Sequence, residues 1–186
     1  MRTFRSRKNR VRLGWYLDSL IKVRSKRIVF VTKHNVQLMG NLRIMLDAIV
    51  REGGYEVALF QEGEVNSSIR SYLTDNGVSI FDSYDFAALK YIYSSEIIVL
   101  SHSARDAYIS KRKLGRRVVN LWHGVALKRI ERLMPVYEDN LTSKARQEQI
   151  SRNAEIYDAM VAAGKIDQRV NAMSFGLSYD QVHAIG

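Results

Sequence analysis

Short β-branched apolar runs alternate with amphipathic stretches of about ten residues along this sequence, and that alternation restricts the chain to few folds. The first run, Arg27 to Thr32 (RIVFVT), lacks the polar alternation of a half-exposed strand, so it predicts a strand buried on both faces and ending in a polar loop. Gly40-Asn41 then opens a helical repeat through Leu42, Met45, Leu46, Ile49 and Val50. Tyr55 to Phe60 predicts the next strand, Ser67 to Asn76 a helix stopped by Gly77, and Val78 to Phe81 a short third strand. Tyr84 to Tyr93 reads as a helix, Glu96 to Ser101 (EIIVLS) as a strand, Ala104 to Leu114 as a basic helix ending at Gly115, and Arg117 to Leu121 as another strand. Asn140 to Tyr157 predicts a long solvated helix, Asp158 to Ala163 a sixth strand, and Val182 to Gly186 a last strand entering a loop. This order predicts an α/β, Rossmann-like, doubly wound parallel sheet, whose ligands bind beyond the carboxyl ends of the strands. Function is therefore expected in the loops at 33–40, 101–103 and 122–125.

At 186 residues the chain suits one large domain, or a domain with an appendage. The absence of cysteine excludes a disulfide framework, thiolate metal sites and a cysteine nucleophile. No uncharged apolar run reaches the length of a bilayer span, and the amino terminus has no signal-peptide pattern, so a cytoplasmic protein is expected. The net charge of +10 is concentrated: the first 27 residues hold ten basic side chains against Asp18 alone, whereas the rest balances nineteen basic against eighteen acidic. The chain accordingly divides into a basic segment, 1–26, and a near-neutral globular domain, 27–186. Within the basic segment, Arg5, Arg7, Lys8, Arg10 and Arg12 lie beside Trp15, Tyr16, Leu17, Leu20 and Ile21, which on a helix form an apolar stripe with basic flanks. Such a segment suits the inner face of an anionic membrane, with Trp15 and Tyr16 at the interface. A nucleic-acid partner is the rival, disfavoured because the basic residues flank the aromatic pair rather than interleave with it. A disordered solubilising tail is the third reading.

The stretch NLWHGVALKRI, Asn120 to Ile130, places His123 and Gly124 directly after a predicted strand and before a short amphipathic helix carrying Lys128. A histidine there can act as a general base near neutral pH, and the glycine lets backbone N–H groups approach an anion, whose charge Lys128 would neutralise. The same residues also admit a plain reading, with Trp122 in the core, His123 a satisfied polar residue and Lys128 in solvent. His34 and His102 follow the first and fourth strands and could reach the same cleft, but no carboxylate accompanies the three histidines at ligand spacing, so no metal is expected.

The strand followed by NLWHGVALK and a basic helix resembles the WHG(T)PLK signature of the CDP-glycerol glycerophosphotransferase family, which contains teichoic acid polymerases, primases and related phosphotransferases. RIVFVT with Gly40-Asn41-Leu42, KRKLGRRVVNLWHG, and the final FGLSYDQVHAIG are similar to the same family, so the resemblance spans roughly 27–186. Val125-Ala126 depart from it, where threonine and proline are usual. The resemblance implies a GT-B architecture of two Rossmann-like domains, of which this chain supplies the amino-terminal, acceptor-side one, the domain that holds the CDP-alcohol donor being absent. It also implies that His123 deprotonates an acceptor hydroxyl, with Asn41, Trp122, Gly124 and Lys128 as substrate-binding positions; His102, from its place at a strand's carboxyl end, is a further substrate-binding candidate through a cleft-lining hydrogen bond. A CDP-alcohol donor and a lipid-linked or glycan acceptor are the partners it implies, and the basic segment adds an anionic membrane surface; no cofactor and no nucleic acid are expected.

Overall fold

The computed structural model describes Gly14 and residues 16–32, 37–109, 111–124, 131–133 and 141–185, with backbone alone for 141–144, 146, 147 and 153. Seven strands form one parallel sheet: β1 (Arg24–Val31), β2 (Glu56–Phe60), β3 (Ser79–Phe81), β4 (Ser95–Leu100), β5 (Arg117–Asn120), β6 (Ala159–Ala162) and β7 (Val182–Ala184), in the order β3-β2-β1-β4-β5-β6-β7. The helices are α1 (Gly40–Glu52), α2 (Ser67–Asp75), α3 (Phe86–Ser94), α4 (Leu141–Ala154) and α5 (Lys165–Phe175). This is the Rossmann-like architecture the alternation predicts.

Burial on both faces explains the unbroken apolar character of the central strands. On β1, Ile28 and Phe30 pack with Leu42 and Leu46 of α1 and Leu73 of α2. Val29 and Val31, one residue out of phase, pack with Leu89, Ile92 and Tyr93 of α3 and Phe175 of α5 on the other face. Register carries this across the sheet, since Val31 lies between Phe60 of β2 and Leu100 of β4. The sheet grows outward from β1 in one direction and from β4 in the other, so the topological switch point lies between them.

Three features differ from the sequence reading. Among the described residues of 104–114 there is no helix, only turns at 104–108, irregular backbone after them and a further turn starting at 114. The N–H groups of Asp106, Tyr108 and Ile109 each reach a separate turn carbonyl, and Tyr108 takes a left-handed φ of 55°, which a helix cannot continue through. The basic residues there are drawn into tertiary contacts instead, Arg112 to Asp158 at 2.7 Å and Lys113 to the Ile21 carbonyl at 2.5 Å. The second difference is α5, for which the sequence reading assigned no element. Its buried residues include Asn171 and Ser174 beside Ala172 and Phe175, so the inward face lacks the apolar stripe that would reveal a helix.

The third concerns the amino-terminal segment. β1 begins at Arg24, three residues before the expected boundary, through exposed polar residues and a left-handed Lys26. Before it, the backbone is helical at Gly14 and over 16–20, with Leu17 and Asp18 buried against the sheet domain. Asp18 is 3 % exposed and meets Arg116, 1 % exposed, at 2.6 Å, while Lys113 binds the Asp18 carbonyl as well. Desolvation lowers the Lys113 pKa, with the Asp18 carboxylate opposing that shift. The second half of the basic segment is thus built into the fold. Arg5, Arg7, Lys8, Arg10, Arg12, Trp15, His34 and Lys128 lie outside the described residues.

Candidate functional site

A cavity of about 930 Å³ opens at the carboxyl ends of β1, β4, β5 and β6, against the amino end of α1. Thr32 after β1, Ser101 and His102 after β4, Trp122, His123 and Gly124 after β5, and Gly40 and Asn41 of α1 all line it. The structure therefore gathers Asn41, His102, Trp122, His123 and Gly124 around one cleft at the switch point. The sequence reading placed each of them at a strand or helix end and expected His102 to reach the same cleft, but it gave no contact between their side chains.

His123 is exposed to the cleft, and its Nδ1 lies 3.1 Å from the Ser101 carbonyl oxygen. A carbonyl can only accept, so this bond selects the tautomer with the proton on Nδ1 and leaves a lone pair on Nε2. The His102 ring stacks on His123 with centroids 4.0 Å apart and planes 10° apart, and its own Nδ1 shares a hydrogen bond with Ser101 Oγ at 2.8 Å. Trp122 lies tilted against His123 at 4.1 Å and presents an edge to Phe175 of α5 at 4.8 Å. Asn41 Nδ2 reaches the Leu121 carbonyl at 3.4 Å, tying the start of α1 to the loop that carries His123.

Two residues not singled out from the sequence, Asn120 and Gln61, hold this arrangement, with Tyr157 supporting it from below. Asn120 is fully buried at the end of β5; its Nδ2 donates to the His102 carbonyl at 2.8 Å and its Oδ1 accepts the Trp122 N–H at 2.8 Å. One side chain thereby fixes the loops after β4 and β5 relative to each other. Beneath them, the Tyr157 hydroxyl accepts the Ala104 N–H at 3.1 Å, and burial pushes the tyrosine's pKa up. Gln61, also buried, accepts the Leu38 N–H at 3.0 Å and donates to Gln37 and to the Glu64 carbonyl, which positions the approach to α1. A polar residue at the end of a predicted strand was the available signal for both, but it does not distinguish a buried bridge from an ordinary loop residue. Among the described residues, no group of three or more His, Cys, Asp or Glu could hold a metal ion.

A doubly wound parallel sheet with a histidine-lined cleft at its switch point defines a Rossmann-like domain, a fold whose ligands bind at that point. The model of the family described as CDP-glycerol:poly(glycerophosphate) glycerophosphotransferase matches residues 15–186, and the chain belongs to that family. No curated protein matches it. Among solved structures, the wall teichoic acid polymerase TagF superposes with a TM-score of 0.77 at 14 % identity, over 96 % of this chain and 43 % of that one. A variant of the same polymerase soaked with CDPG gives a TM-score of 0.78 at 13 % identity, over 98 % and 43 %. The chain thus spans well under half the length of those structures, and at this identity the likeness concerns the fold.

Proposed function

We propose that this chain is the acceptor side of a glycerophosphotransferase, in which His123 deprotonates an acceptor hydroxyl held in the cleft. The observation that carries the reading is the hydrogen bond from His123 Nδ1 to the Ser101 carbonyl, which leaves Nε2 as the basic atom of an exposed imidazole in the cavity. The hydroxyl oxygen attacks the β-phosphorus of a CDP-activated alcohol, and a new P–O bond forms. The bond from that phosphorus to the bridging oxygen breaks, CMP leaves with the electron pair, and the imidazole keeps the proton. The donor side belongs to a second domain of the kind the family resemblance implies. The whole gene product, incubated with CDP-glycerol and isolated membranes, is expected to release CMP in step with phosphate incorporated into the membrane fraction. Absence of CMP release with CDP-glycerol, CDP-ribitol and other CDP-alcohols alike refutes the reading.

The acceptor is membrane-associated and the protein works at the inner membrane face. Supporting this, Tyr16 and Leu20, one helical turn apart, are 64 % and 61 % exposed while Leu17 between them is buried, so an apolar pair points outward beside the basic stretch. Among the described residues no helix is long and apolar enough to cross a membrane. Removing residues 1–13, which spares the buried Asp18, is expected to weaken binding to phosphatidylglycerol vesicles about 100-fold or more, given roughly 1 kcal/mol per basic residue at an anionic surface. Raising the salt should weaken binding of the intact chain by screening. Equal sedimentation of both forms with vesicles counts against membrane attachment, and tight salt-sensitive RNA binding favours the nucleic-acid reading.

A further inference from the structure

We propose that the turn from Lys113 to Arg116 is a second membrane-contacting element, in which Leu114 enters the apolar layer of an anionic bilayer beside the amino-terminal helix. The inference rests on the reading of the protein as membrane-attached, and it assigns part of that attachment to a loop far along the chain from the basic segment.

Leu114 is 99 % exposed, more than any other large apolar side chain among the described residues. A single exposed leucine is ordinary on a protein surface; its setting here is not. The Arg116 N–H donates to the Lys113 carbonyl at 3.1 Å, and Gly115 at the third position has φ +79°. That combination suits a type II turn, with Leu114 at the corner where proline or a polar residue is the usual occupant.

Both flanks of the corner are clamped to the amino-terminal segment. Lys113 Nζ donates to the Ile21 carbonyl at 2.5 Å and to the Asp18 carbonyl, and Arg116 Nη2 meets the Asp18 carboxylate at 2.6 Å. Gly115 lies against Val23, to whose side chain a Cβ on the glycine would come within 3.9 Å. The turn is thus fixed to the stretch that carries Tyr16 and Leu20, both exposed. A turn held in its projecting position before contact loses little freedom on insertion.

Charge selects the partner. Lys111 and Arg117 flank the turn and Lys22 follows Ile21, all three exposed; Arg112 is exposed as well, and shared with Asp158 at 2.7 Å. Apolar projections beside cations match a bilayer of anionic lipid, where Leu114, Tyr16 and Leu20 reach the acyl boundary and the basic heads stay at the phosphates. Nucleic acid would engage the cations but leave Leu114 without a role, since base stacking needs aromatic rings. The helix at 16–20 precedes β1 and the turn precedes β5, so the patch lies at the amino ends of the parallel strands. The cleft opens at the carboxyl ends, and substitutions in the patch leave its residues untouched.

The chain has no cysteine, so Leu114→Cys can carry a single environment-sensitive fluorophore. With phosphatidylglycerol vesicles, the labelled 186-residue chain is expected to show a blue-shifted emission that spin-labelled lipids quench, and with phosphatidylcholine vesicles a much smaller change. Leu114→Ser should weaken sedimentation with phosphatidylglycerol vesicles about tenfold at an unchanged melting temperature. Lys111→Gln with Arg117→Gln should weaken it about tenfold or more and flatten its salt dependence. An intact chain that ignores anionic vesicles refutes the membrane reading and this proposal with it. Vesicle binding with an unshifted label, or with Leu114→Ser equal to wild type, overturns the loop alone. Self-association that Leu114→Ser abolishes assigns the leucine to a second copy of the chain, and RNA that outcompetes vesicles assigns the patch to nucleic acid; either result overturns the proposal.

Discussion

In the whole gene product, His123→Ala is expected to lower turnover of CDP-glycerol by a factor of about 10² to 10⁴, the usual contribution of a positioned general base. The melting temperature should move little. His123 is exposed, and the hydrogen bond its side chain makes, to the Ser101 carbonyl, leaves that carbonyl open to water when the ring is removed. A histidine used only for packing would lose stability and activity together. Because proton transfer occurs on the way to the transition state, kcat and kcat/KM should fall in parallel, with little change in KM. Steady-state kinetics of the folded variant settle the matter: near-normal kcat/KM removes His123 from the mechanism, although family membership and fold stand. His102→Ala should have a smaller effect, since that ring supports His123 by stacking rather than by holding the transferred proton.

The second large effect is expected far from the cleft. Asp18→Ala should destabilise the protein by about 3–5 kcal/mol, because it leaves the buried Arg116 guanidinium without its counter-ion. Arg116 is already under-satisfied: Nη2 donates to Asp18 and to the Tyr93 carbonyl, but Nε and Nη1 have no partner among the described residues. Lys113 would lose its carboxylate partner too, at 3.5 Å. For a chain of this size such a loss corresponds to a fall in melting temperature of about 6–20 °C, readable by circular dichroism. Coupling Asp18→Ala with Arg116→Met should recover much of it, since removing both charges avoids the isolated one. A single variant that melts like wild type would show that the pair is not desolvated in solution. The same contact means that deleting all of 1–26 is not a clean test of membrane binding, because it removes Asp18, Leu17 and the start of β1.

Strands whose two faces are both covered were legible in the sequence, because Val29, Val31, Phe30 and their neighbours leave no polar position to confuse the period. Elements whose stability comes from tertiary polar contacts were not. The stretch 104–114 has the composition of a basic helix, but Arg112 and Lys113 are held by partners 46 residues ahead and 92 behind, which no local window contains. Helix α5 was missed for the converse reason, since Asn171 and Ser174 face inward. In the site, strand ends marked His102 and His123 as cleft residues, whereas Asn120 and Gln61 acquire meaning only from what lies across the sheet. A polar side chain at a strand end looks the same in sequence whether it is bridged or solvated.

Trp122 follows Asn120 and Leu121 with φ +51°, a left-handed conformation that costs a residue of its size about 1–2 kcal/mol. Glycine, asparagine and aspartate occupy this conformation readily but carry no ring to set between His123 and Phe175, and histidine, which also tolerates it, offers only a small imidazole. Phenylalanine or tyrosine would keep a ring but also keep the strain. The position is therefore pulled two ways, towards low backbone strain and towards a large ring. Under laboratory selection for thermal tolerance alone, it should drift towards glycine or asparagine. Under selection for transfer activity it should stay aromatic, so the direction of drift reports which pressure a lineage has experienced.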